Sequence, residues 1–193
     1  MKKILCILLA ALLTSCATTK SFPPTTTSTT PRSGFLNNQN INLLFFDSRV
    51  DKSFSNEIQT SIMQHLKESY PSANFNLSND FFADPDSNKI TIKITIAGYA
   101  AGFGVKSTSG IGMINGKLFY FAGVADGMWN GLTGIGVNLY DYRKGEKKQS
   151  TTLSQVITKP NMGGYSTAKN ALRISFQSVM DQLCAFIDQT LMK

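Results

Sequence analysis

One imidazole, three thiols and twelve carboxylates are the groups in this 193-residue chain that could carry acid–base, nucleophilic or metal chemistry. His65 is the single His, so any Ser-His-Asp or Cys-His arrangement must use it. Ser61 precedes it by one helical turn, a spacing shared by any two helix neighbours. His65 flanks an apolar stripe beside Ile62 and Leu66, which argues for a boundary packing or surface role. Cys16 and Cys184 form no catalytic pair with it. One His and three Cys also exclude a His-rich or Cys-rich metal site and a disulfide scaffold. Asp84-Pro85-Asp86-Ser87-Asn88 opens like a calcium loop, but its sixth position is Lys89 rather than Gly and its twelfth is Thr95 rather than Glu. A polar turn before a strand accounts for it better. Asp47 and Asp51 could pair as acid and base, yet Arg49 sits between them. A local ion pair or a helix-start role is expected there. No catalytic residue, metal or cofactor is therefore expected, and the chain reads as non-enzymatic.

Two further patterns bear on binding. Gly102-Phe103-Gly104 lacks the third Gly of a dinucleotide loop, and the sequence holds no P-loop Gly-Lys-Ser/Thr, so phosphate cradling is not indicated. Gly123, Gly127 and Gly131 recur every four residues, and 118–139 contains Asp126 as its only charge. On a helix these glycines would line one smooth face, a Gly-zipper able to insert in a membrane. Against that, the alternation from Ile135 onward is that of a strand, and glycine-punctuated strands and loops are the main expectation. Charge is divided too: residues 37–88 hold three basic and seven acidic side chains, residues 89–173 eleven basic and three acidic. Arg143, Lys144, Lys147 and Lys148 crowd one turn. A solvated hairpin tip is the plain reading, and contact with anionic lipid or glycolipid phosphates is the functional one.

The N-terminus carries the clearest signal. Lys2 and Lys3 precede the uncharged apolar run Ile4 to Leu13, too short to span a bilayer but the length of a signal-peptide core. The run ends in Leu13-Thr14-Ser15-Cys16, which resembles the lipobox of bacterial lipoproteins. That resemblance implies a signal peptide over 1–15, cleavage after Ser15, and lipidation of Cys16 with diacylglycerol and an amide-linked acyl chain such as palmitate. Ala17, in place of the Asp that retains such proteins in the inner membrane, implies the outer membrane, with the domain facing the periplasm. Loss of Lys2 and Lys3 lowers the formal charge from +7 to +5. Export also argues against a nucleic-acid partner.

The elements that position these groups follow from periodicity. Residues 16–39 are the lipidated Cys and a Thr/Pro-rich tether, expected to be solvated and to hold the domain off the membrane. A single domain spans 40–193. Ile41 to Phe46 reads as a buried strand, and Phe54, Ile58, Ile62, Leu66 and Tyr70 mark an amphipathic helix stopped at Pro71. A short strand is expected around Phe75–Leu77. Ile90, Ile92, Ile94 and Ile96 alternate with Thr, Lys and Thr, the pattern of a half-buried strand. Eleven of the 15 glycines fall between 98 and 136, where the periodicity blurs. Strands are expected at Leu118–Phe121, Ile135–Tyr142 and Ser150–Ile157, and a long helix over Ser166–Leu191. The fold expected is α+β: an antiparallel sheet with two helices on one face, in the order β-α-β-β-β-β-α.

A lipobox, a Thr/Pro tether, a first strand ending in Asp47-x-Arg49, a helix, a sheet and a long terminal helix together resemble the small lipoproteins that accompany envelope transport systems. These include the YajG-type lipoproteins and the auxiliary lipoproteins of ABC-type transporters. The segment from Trp129 to Tyr142, leading to Asp141 and a charged Gly turn, is similar to a strand in such domains, whereas the Gly-rich insertion departs from them. The resemblance implies no enzyme activity. It implies a periplasmic binding or assembly accessory, anchored through Cys16 and working with an envelope protein or an anionic lipid. A peptidoglycan-associated or structural envelope lipoprotein is the alternative.

Overall fold

The computed structural model describes residues 18–25, 29–32, 36–78, 80–104, 112–114, 117–119, 127–143 and 147–192. The elements run β1 (Thr18–Lys20), β2 (Asn40–Asp47), α1 (Ser55–Ser69), β3 (Asn74–Ser78), β4 (Ile90–Phe103), β5 (Gly112–Ile114), β6 (Lys117–Phe119), β7 (Met128–Asp141), β8 (Lys147–Pro160) and α2 (Tyr165–Leu191). The main sheet has the order β3-β2-β4-β7-β8, with β1 paired to the far end of β4, and β5 and β6 form a separate ladder. The class is α+β, and the long strands and helices follow the expected order. One feature of the pairing differs from the expected antiparallel sheet, which is in fact mixed. β2 runs parallel to both β3 and β4, while β4–β7 and β7–β8 are antiparallel. The reason is α1, whose crossover returns the chain to β3 in the direction of β2.

One face of the sheet carries both helices. Ile90, Ile92, Ile94 and Ile96 of β4 point to it, as do Ile41 and Leu43 of β2 and Ile135, Val137 and Leu139 of β7. From α1, Ile58, Ile62 and Leu66 meet them, joined by Tyr70 just past the helix. From α2 come Leu172, Phe176, Val179, Met180, Leu183 and Ile187. The connection from β3 to β4 must pass β2 and crosses the opposite face. There Phe46 stacks with Phe81 and Phe82, and the Lys93 ammonium donates to the Ala83 carbonyl at 2.6 Å.

The glycine-rich stretch is strand, not helix, over 128–139, so the inserting Gly-zipper at 118–139 is overturned there. Gly123 lies outside the described residues, and Gly127 takes φ +80° just before β7. Gly131 sits in β7 directly under α2, where a Cβ would come 2.2 Å from the carbonyl carbon of Ala171 and the amide nitrogen of Leu172. The residue is glycine because two backbones touch there, strand to helix rather than helix to helix. Beside it, the Thr133 and Ser175 hydroxyls lie 2.8 Å apart, and Ser175 passes its own proton to the Leu172 carbonyl at 3.0 Å. Among the described residues no helix is long and apolar enough to cross a membrane.

The N-terminal segment also departs from expectation. Thr18 to Lys20 pair with Phe103 to Ala101. Phe22 packs against the core, and Arg32 forms a 2.8 Å ion pair with Asp188 of α2. A segment rich in Thr and Pro reads as solvated, but one aromatic ring and one guanidinium with waiting partners dock these described parts of it.

Candidate functional site

Three places gather functional side chains. The first lies where β4 ends and β7 and α2 begin. Thr18, Phe103, Trp129, Gly164 and Tyr165 line a pocket of about 280 Å³. The Trp129 ring is 4.9 Å from Phe103 and 5.9 Å from Tyr165, centroid to centroid. Phe22 meets Tyr165 edge-on at 6.3 Å, and the Lys20 ammonium sits 6.0 Å above the same ring. Asn161 braces the group through one oxygen, which accepts from the Trp129 indole at 3.1 Å and from the Gly164 amide at 2.9 Å. A register shift between Ile96 and Gly98 turns Tyr99, Ala101 and Phe103 toward this side of the sheet. A pocket of aromatic faces with an adjacent cation suits an amphipathic ligand, apolar at one end and anionic or hydroxylated at the other.

Sequence reasoning did not assemble this site. Its residues come from β1, β4, β7 and the start of α2, and only the tertiary fold brings them together. The signal available was that Phe103, Trp129 and Tyr165, though far apart in the chain, each lie within two residues of a glycine.

The second place surrounds His65. Thr29, Thr30, Arg32, His65, Ser69, Gln177 and Asp181 line a polar cavity of about 190 Å³ between the N-terminal segment, α1 and α2. Arg32 donates to Asp188, Tyr70 donates to the other Asp188 oxygen at 2.7 Å, and the Cys184 thiol lies 3.5 Å from the Ser69 hydroxyl. Burial pushes the Cys184 thiol up, opposite to what a nucleophilic thiolate needs. His65 is 95% buried on the α1 face that also carries Ser61, deeper than the boundary or surface position expected of it, and lines the cavity beside Ser69 and Asp181. The cavity fastens the N-terminal segment to the helices.

Burial lowers the His65 pKa below its ordinary value; Asp181 and Glu68 oppose the shift, and Arg32 adds to it. The unfolded chain therefore takes up a proton first, near pH ~6.5, and the native state loses stability as pH falls below that value. Thermal melts at descending pH should show the midpoint dropping over this window, with a shallower drop in His65→Gln. An equal drop in both proteins would remove His65 as the cause.

The third place is the β7–β8 tip. Arg143 is clamped by Asp141, with Nε and Nη2 each 2.8 Å from a carboxylate oxygen, and it also donates to Gln39. Lys148 is exposed and lies over the Tyr140 ring at 5.4 Å. Lys144 and Cys16 lie outside the described residues, as does the side chain of Lys147. Of the expected basic cluster, the guanidinium of Arg143 is thus already paired, while Lys148 stays open to an anion.

The remaining candidates have local partners. Asp47 and Arg49 form the expected ion pair, with Nη2 2.6 Å from a carboxylate oxygen. Asp51 accepts from the amide and hydroxyl of Ser53 and from Ser21. Asp86 accepts from the Asn88 amide at 2.8 Å and pairs with Lys89 at 3.1 Å, a self-contained turn. No group of three metal-ligating side chains occurs among the described residues.

No protein-family model and no curated protein matches this sequence. Solved structures match its fold. Protein XCC0632 from Xanthomonas campestris, of family DUF330, is 9% identical with a TM-score of 0.51, over 86% of this chain and 93% of that one. A minor lipoprotein from Acinetobacter baumannii is 14% identical with a TM-score of 0.37, over 78% and 93%. Lipoprotein GNA1162 from Neisseria meningitidis is also 14% identical with a TM-score of 0.37, over 76% and 99%. The chains this protein is similar to thus include bacterial lipoproteins.

Proposed function

We propose that this protein is a non-enzymatic lipoprotein of the bacterial envelope, anchored through lipid on Cys16 in the outer membrane and facing the periplasm. Its α+β domain binds an envelope partner there, as an assembly or transport accessory. The observation that carries the reading is the run Lys2-Lys3, Ile4–Leu13 and Leu13-Thr14-Ser15-Cys16. Two residues after that cysteine the chain enters β1 and the folded domain. More than one acyl chain on Cys16 makes the attachment firm, where a single chain binds only reversibly.

The basic tip is the surface offered to an anionic partner, through Lys144, Lys147 and Lys148, with the Arg143 guanidinium held in place by Asp141. β7 and β8 are each 14 residues long and end at that tip, so it stands roughly 45 Å from the β1 end of the sheet. A partner held by the tip is therefore reached away from the anchoring membrane.

Mass spectrometry of the protein from native membranes tests the anchor. The expected species begins at Cys16 and carries diacylglyceryl and acyl mass, and Cys16→Ala leaves the membrane fraction. A mature chain of unmodified mass that still behaves as soluble would defeat the reading. Crosslinking in cells then separates the partner classes. Recovery with a transport or assembly subunit supports the accessory role, and recovery only with peptidoglycan supports the structural one.

A further inference from the structure

The register of β1 decides how the domain sits relative to its anchor. Thr18 pairs with Phe103 and Lys20 with Ala101, so the chain enters the sheet from beyond the end of β4. Cys16 is two residues outboard of Thr18, a reach of at most ~7 Å. Thr18 itself lines the aromatic pocket. Lipid on Cys16 would therefore emerge beside Phe103, Trp129 and Tyr165, and the 16–39 segment cannot lift this end of the domain off the bilayer.

The side chains at this rim suit such a position. Tyr165 is 57% exposed and Met162 90% exposed, and between them the loop offers only Gly163 and Gly164. Tyr165 pairs an apolar body with a polar tip, the character of residues that settle at headgroup depth, and Trp129 lies buried directly behind it. The described rim residues 18–22, 99–104, 127–133 and 159–169 include Lys20, Lys159 and Lys169 and no Asp or Glu, and the one carboxylate that reaches them, Asp51, already accepts from Ser21 and Ser53. Lys20 and Lys169 are exposed, and Trp129 is directly opposite Lys159 in the ladder. The first turn of α2 contains no acidic residue either, which leaves its positive dipole end uncompensated.

We propose that this rim is a membrane-contact surface: Met162, Tyr165 and the Phe103–Trp129 pocket rest in the headgroup layer of the bilayer that holds Cys16. Lys20, Lys159 and Lys169 lie against its anionic phosphates. The occupant is the anchoring bilayer because chain connectivity holds the lipid within two residues of Thr18, which lines this rim. The inference rests on the lipidation of Cys16. It reverses the expected geometry: the domain stands on the membrane by its aromatic end and points its basic tip away.

Trp129 is the only Trp in the chain, so its emission reports on this rim alone. The native lipidated protein is reconstituted in vesicles of phosphatidylglycerol and phosphatidylcholine, with and without bromine high on the acyl chains. Loss of Trp129 emission in the brominated vesicles is expected, and it should be smaller in the K20E/K169E variant, whose substitutions lie at exposed positions. A second reporter avoids reliance on a buried indole. An environment-sensitive dye on Met162→Cys should shift to the blue on reconstitution, while the same dye on Lys148→Cys at the far tip should not. Protein that enters the vesicles yet shows neither quenching nor a dye shift overturns the docked geometry and leaves the anchor intact. Protein that fails to enter them at all overturns the anchor, and this inference with it.

Discussion

Gly131→Ala is expected to be the most damaging single-methyl change in the described residues. The added Cβ would lie 2.2 Å from backbone atoms of Ala171 and Leu172 and 2.5 Å from the Ala171 carbonyl oxygen. Backbone cannot rotate away as a side chain can, so α2 must shift as a body against β7. That shift also pulls apart the Thr133–Ser175 hydroxyl contact and the packing of Leu172 and Phe176 behind it. Overpacking of a close-packed core costs about 1–3 kcal/mol, and a clash with fixed backbone belongs at or above the top of that range. Against a total stability of about 5–15 kcal/mol, the loss should lower the melting temperature by roughly 6–12 °C. Gly98→Ala is the control. Its Cβ would press only on the flexible Leu132 side chain, at 3.2 Å, with the nearest backbone atom at an ordinary 3.8 Å, and a much smaller drop is expected. Equal melting of the two variants would refute the close-approach account.

Asp47→Asn should produce the second large effect. Asp47 and Arg49 are each 8% exposed, and the Arg49 Nε and Nη2 donate to the two Asp47 oxygens at 2.9 and 2.6 Å. The Arg49 amide adds a third bond at 3.1 Å, and Nη2 also reaches the Ser53 carbonyl. One guanidinium nitrogen, Nη1, is buried without a hydrogen-bond partner, so the carboxylate compensates nearly the whole charge. Removing that charge alone leaves an uncompensated buried cation, which costs about 3–5 kcal/mol. Replacing both residues by apolar ones of similar volume, Asp47→Leu with Arg49→Met, should cost less than Asp47→Asn alone. A double variant weaker than the single one would defeat this account.

The same pair sets an acid limit. Burial works to raise the Asp47 pKa, but hydrogen bonds from Arg49 and Ser55 and the Arg49 charge outweigh it and hold the carboxyl below the usual range. A carboxyl depressed in the folded state contributes stability above its unfolded pKa of about 3.9, and that stability is lost as pH falls through the folded value. The Asp47→Asn variant should lack this acid step. His65 acts in a separate window below pH ~6.5, so the two variants should remove different parts of one stability profile.

The repeating elements were legible because burial imposes period on a chain. Four Ile at alternate positions mark β4, and the four-residue spacing from Ile58 to Tyr70 marks α1. The ends of strands were not legible: Ile135–Tyr142 lengthened to Met128–Asp141, since Gly131, Gly134 and Gly136 carry no side chain to show alternation. The spacing of Gly123, Gly127 and Gly131 suggested a helix face. Spacing records that small residues recur, not which backbone approaches them. The Thr/Pro segment reads as solvated because composition averages over Phe22 and Arg32, which do the docking.

By itself the sequence determined the α+β class, the order of its long strands and helices, and the Asp47–Arg49 pair, two residues apart. Each is local or periodic, and so is visible along the chain. The tertiary structure alone decided the parallel course of β2, the burial of His65, and the pocket of Phe103, Trp129 and Tyr165 beside Thr18. These depend on residues as far apart as 18 and 165 meeting in space. Pairing register and helix packing decide such meetings, and neither leaves a period in the sequence.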